Sequence, residues 1–99
     1  MALYLVVHTP RPEQEEANHP PTKLKDLARD HGSTDSVPRW IRTWSPDLHD
    51  ERIFSTWEAA NAEEILKVVE AYGFLNHMDA KPLQVQEWGP DDVLSATED

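Results

Sequence analysis

Apolar and polar residues alternate along four short stretches of this chain and recur at helical spacing along two others. From Ala2 to Thr9, Leu3, Leu5 and Val7 point one way and Tyr4, Val6 and His8 the other, the two-residue repeat of a strand. Both sets are mostly apolar, which predicts a central strand covered on both faces, ended by Pro10 and Pro12. Residues 10–21 are polar and rich in proline and glutamate, a connection long enough for a lid, a partner contact or a surface loop. Thr22 is placed to cap a helix running to about His31, with Leu24, Leu27, Ala28 and His31 on one side and Gly32 as its stop. Residues 33–38 turn the chain and end at Pro38.

Strict alternation then puts Trp40, Arg42 and Trp44 on one face of a second strand and Ile41, Thr43 and Ser45 on the other. Pro46 to Asp50 reads as a hairpin loop. Arg52 to Glu58 is the third strand, with Ile53, Ser55 and Trp57 opposite Arg52, Phe54, Thr56 and Glu58. Each face of this hairpin carries aromatic rings, so parity alone does not say which face meets the helices. Asn61 followed three residues later by Glu64 is capping-box spacing for a second helix. Its buried stripe is Ala62, Ile65, Leu66, Val69 and Tyr72, and Gly73 ends it. Lys81 to Trp88 is the fourth strand, with Leu83 and Val85 opposite Gln84, Gln86 and Trp88, and Gly89-Pro90 breaks it. The acidic segment 91–99 is expected to fray, with Val93 and Leu94 available to anchor it on a partner.

The order βαββαβ with short connections predicts an α+β, ferredoxin-like sandwich. A four-stranded antiparallel sheet would carry two helices on one face, as one domain over 1–90 with a C-terminal tail. Helices on one face leave the other face of an apolar sheet uncovered. The economical solution is a homodimer whose sheets pack face to face, a dimeric α/β barrel. Burying about 500 Å² of apolar surface per subunit would contribute roughly 12 kcal/mol before association costs.

Charge narrows the partners. Nineteen acids against nine bases give a net charge of −10. Such a field repels phosphate backbones and anionic lipid heads, so neither nucleic acid nor a membrane is expected. An RNA-recognition domain shares the element order, but the third strand lacks its glycine-aromatic signature. The chain has no cysteine, which removes disulfides and thiolate chemistry and fits a cytoplasmic protein. The apolar run Met1 to Val7 is too short for a signal peptide or a membrane span.

Candidate chemistry is sparse. The serines 33, 36, 45, 55 and 95 have no elbow glycines around them. No two of the five histidines share the spacings that put two imidazoles on one metal. His49 in its acidic loop and His77 two before Asp79 offer nitrogen and oxygen ligands suited to nickel or zinc. His8 ends the first strand beside the long proline-rich connection. His31 is placed to help close its helix C-terminus. Trp44 and Arg42, with Phe54 or Trp57 across the hairpin, can line an apolar pocket with one cationic anchor, which suits a small organic anion. The competing reading is that these rings form core or dimer interface.

Several short runs resemble a known family: Leu3-Tyr4-Leu5-Val6, Trp40-Ile41-Arg42-Thr43-Trp44, Glu51-Arg52-Ile53-Phe54, Ala60-Asn61-Ala62-Glu63-Glu64-Ile65 and Gly73-Phe74. Together they resemble the small actinobacterial nickel-binding proteins of ferredoxin-like fold and their uncharacterised relatives. The resemblance implies a dimeric α/β sandwich in a bacterial cytoplasm. Those relatives often carry histidine where Arg42 stands, histidine in the region of Val68 and Val69, and glutamate at Val7, so their nickel ligands do not carry over. The expectation is a ligand-binding protein, with a metal ion among the candidate ligands, and not an enzyme. The alternatives are a cofactor-independent monooxygenase of the dimeric barrel type and a purely structural dimerisation domain.

Overall fold

A computed structural model of the chain describes residues 1–10, 22–46 and 51–96. In chain order the elements are β1 (Ala2–Pro10), α1 (Leu24–His31), β2 (Arg39–Trp44), β3 (Ile53–Ala59), α2 (Ala62–Tyr72), β4 (Met78–Val85) and α3 (Pro90–Ala96). The strands form one antiparallel sheet in the order β2-β3-β1-β4, the ferredoxin-like arrangement that the alternation predicts. No helix among the described residues is long and apolar enough to cross a membrane.

The helices cover one face. Tyr4 and Val6 of β1, Trp57 and Ala59 of β3, Leu27 of α1, Ile65 and Val69 of α2, and Phe74 beyond it form the core. Helix α2 starts where its cap demands: the Glu64 backbone N–H donates to Asn61 Oδ1 at 3.0 Å, and Glu64 Oε1 reaches back to the N–H of Ala60 at 3.0 Å. It ends at Gly73, whose φ of 65° is the left-handed region that glycine enters without a Cβ penalty. There the N–H of Phe74 bonds the carbonyl of Val69 at 3.0 Å, which swings Phe74 under the sheet. Helix α1 departs from expectation. Thr22 does not cap it; its hydroxyl donates to the carbonyl of Gly73 at 3.0 Å, tying the entry of α1 to the end of α2. Gly32 stops α1 by closeness and not by a left-handed turn: a Cβ there would lie 2.4 Å from the carbonyl oxygen of Ala28. His31 also reaches away from its own helix end, its Nδ1 bonding the carbonyl of Pro38 at 2.8 Å.

Three expected boundaries move. First, β2 does not alternate. Its pairing with β3 slips between Trp40 and Arg42, so Trp40 lies opposite Trp57 and Arg42 opposite Thr56, with Ile41 as the extra residue of a bulge. Trp40 thereby joins the core side, its ring stacked 6.4 Å from that of Trp57, while Arg42 and Trp44 fall on the other face. Second, β4 spans Met78–Val85 and not Lys81 to Trp88. It starts earlier because β1 continues to Pro10 and offers partners to Met78 and Asp79, and its pairing with β1 ends at Val85, opposite Leu3, one residue from the start of β1. Third, the segment expected to fray is helical over Pro90–Ala96. Asp92 accepts the N–H of Gly89 at 2.8 Å, and the N–H groups of Asp92 and Val93 return to the Gly89 carbonyl.

Candidate functional site

The candidate residues divide between two faces of one sheet. Because opposite residues of antiparallel strands share a face, the pairs His8–Ile53, Val6–Ser55 and Tyr4–Trp57 look toward the helices. The pairs Val7–Phe54, Leu5–Thr56 and Leu3–Glu58 look away. His8 and Trp57 therefore leave the binding set drawn from the sequence, and Arg42, Trp44 and Phe54 remain together on the open face.

On the covered face a small polar network sits inside the core. His8 Nε2 lies 2.8 Å from Ser55 Oγ, and Trp57 Nε1 donates to the same oxygen at 2.9 Å. His8, Ser55 and Trp57 are all sealed from solvent. The indole only donates, so Ser55 accepts from it, and the serine oxygen shares its remaining hydrogen-bonding capacity with His8 Nε2. Nδ1 is buried and has no hydrogen-bond partner. The edge of the Phe74 ring packs against the imidazole, centroids 5.6 Å apart. Burial without a carboxylate partner lowers the pKa of His8 to about 4, so the ring is neutral at physiological pH. A serine-histidine contact of this length is the geometry of a nucleophile and its base. Here the serine oxygen is engaged by Trp57, nothing orients Nδ1, and both residues are closed to solvent, so the pair holds the core together.

The open face is different in shape and charge. Leu3, Leu5, Ile41, Trp44 and Val85 floor a hollow of about 480 Å³ in which Arg42 is the one cationic side chain, with Thr56, Gln86 and Glu87 completing the lining. That volume lies within the range of small-ligand sites. The bulge at Ile41 makes the hollow possible, because it turns Ile41 and Arg42 toward it in succession. Beside it, Phe54 stands opposite Trp44, and the Arg52 guanidinium lies 5.6 Å above the Phe54 ring. Arg39 bonds Glu58 across the same strands at 3.4 Å. Four of the nine bases of the chain, Arg39, Arg42, Arg52 and Lys81, thus share this face, where the strands contribute only Glu58 and Asp79 as acids. Among the described strand residues, the face the helices leave bare carries more bases than acids, although the chain has a net charge of −10.

The metal candidates do not converge. Among the described residues no three histidine, aspartate or glutamate side chains come close enough to hold an ion. His77 and Asp79 are both exposed at the start of β4, and His49 lies outside the described residues. Sequence reasoning missed Leu3, Leu5, Ile41, Thr56 and Val85 as lining, and Ser55 as the partner of His8. The signal for Ser55 was its two-residue spacing from Trp57, but the register that sets it against β1 is a tertiary fact.

Comparison with protein-family models, with curated proteins and with solved structures finds no match to this chain. Function has to be argued from the side chains.

Proposed function

We propose that this protein binds a small amphipathic organic anion on the open face of its sheet. The observation that carries the reading is Arg42 set as the only cation among the described residues lining a hollow of about 480 Å³, whose floor is apolar and whose rim carries Thr56, Gln86 and Glu87. Its planar guanidinium presents a fork matched to a carboxylate or sulfonate, and no ion pair or hydrogen bond engages it among the described residues. Trp44, at 49% exposure, offers a ring face to an apolar body beside it. The surrounding basic face offsets locally the repulsion that the acidic chain exerts on anions at longer range. A metal ion finds no comparable set of ligands among the described residues.

Fluorescence titration with anilinonaphthalene sulfonate, an aromatic monoanion, tests this. Saturable binding is expected, with Arg42→Ala weakening it about tenfold or more, the worth of a hydrogen bond to a charged group. Arg42→Lys should fall between, because it keeps the charge and loses the fork. Equal affinity for the uncharged anilinonaphthalene parent, or an unchanged affinity in Arg42→Ala, would overturn the reading.

A further inference from the structure

The same open face and the C-terminal arm are complementary in two respects at once. The face is apolar and basic: Leu3, Leu5, Ile41, Val85 and the exposed Trp44 and Leu83 lie among Arg39, Arg42, Arg52 and Lys81. The arm is apolar and acidic. Trp88, Val93 and Leu94 are 70%, 46% and 71% exposed, and Glu87, Asp91 and Asp92 stand among them. Its short helix is already formed by its own caps, so little order has to be gained on docking. Yet the arm does not use its own face. Gln86 and Glu87 line the rim of the hollow, the chain leaves from there, and α3 packs on none of the other elements to any extent.

We propose that a second copy of this chain covers the open face, its arm from Trp88 to Ala96 lying across the basic surface beside the hollow and closing the hollow's mouth. One chain carries both halves of the match, so a two-fold axis pairs each arm with the other subunit's face and leaves none over. The helix-covered face offers no such match, because its large rings are already buried.

Sedimentation analysis of the full chain is expected to show a dimer of 11.4 kDa subunits at tens of micromolar, and truncation after Glu87 is expected to give a monomer with unchanged sheet circular dichroism. Trp88→Ala should weaken association at least about tenfold. The chain lacks cysteine, so introduced ones are unambiguous. A mixture of Lys81→Cys and Ser95→Cys chains treated with a short bismaleimide should give a cross-linked heterodimer. A full chain that stays monomeric overturns the proposal. So does a dimer that survives truncation, or a Lys81→Cys/Ser95→Cys double variant that cross-links only within itself. Dye binding to the chain truncated after Glu87, which keeps the hollow and lacks the arm, reports the Arg42 dependence without association, so the two readings fail separately.

Discussion

On the covered face of the sheet Val6, His8, Ser55 and Trp57 are closed to solvent, whereas on the opposite face Trp44 and Leu83 stay 49% and 41% exposed. The same strands supply both sets, one residue apart. Under the helices every large side chain has a fixed neighbour: Trp57 against Trp40 and Phe74, His8 against Ser55 and Phe74. On the open face Trp44 borders the hollow that also holds Arg42, and the Arg52 guanidinium lies over the Phe54 ring. Tryptophan alone therefore says nothing about binding. What its neighbours do with its other side decides whether it is core or site.

This contrast can be broken most directly with one substitution on each face. Trp57→Ala leaves a cavity under both helices and is expected to cost about 3–5 kcal/mol in urea denaturation. Trp44→Ala, measured on dilute protein, is expected to cost less than about 1 kcal/mol. Comparable losses at the two positions would erase the distinction between the faces.

Acid tests the covered face next. The folded-state pKa of His8, about 4, lies below its unfolded value near 6.5, so between those values the unfolded chain binds more protons. Stability contributed by keeping this ring neutral is complete above pH 6.5, falls as pH drops, and is lost by about pH 4. The expected loss is about 3 kcal/mol over that window. Urea midpoints measured against pH should show this slope in the wild type and a flatter one in His8→Gln.

The smallest effect concerns the helix that makes one face different from the other. Asn61→Ala removes the acceptor for the Glu64 N–H and should cost α2 about 1 kcal/mol, read as a shift in the thermal midpoint. A second effect sharpens the comparison. Loosening α2 should expose the covered face before it affects Arg42 and Trp44, so anion binding should persist in this variant at temperatures below its transition.

Much of this was legible in advance. Alternation in β1 and β3, the Asn61 cap and the Gly73 stop are local signals, and each reappears in the structure at or within a residue or so of its expected place. The Trp40 and Arg42 pairing was misread because a bulge adds one residue to one strand without a residue type that announces it. The fourth strand was displaced by three residues because its limits are those of β1, its partner, and not its own. The candidate site was half legible. The hairpin alternation groups Arg42, Trp44 and Phe54, which the structure keeps on one face, whereas His8 and Trp57 lie in the core, because which face the helices cover is set by packing and not by alternation.

The sequence by itself determined the order of the first six elements, the ends of α2 and the acidic balance, because these depend on propensities, caps and charges carried within a few residues. Only the tertiary structure decided which face of each strand the helices would take, and that the bases would gather on the other. Side chains alternate with a period of two, so one shifted register or one bulge exchanges core for surface along a strand. Nothing short of the assembled sheet fixes that parity.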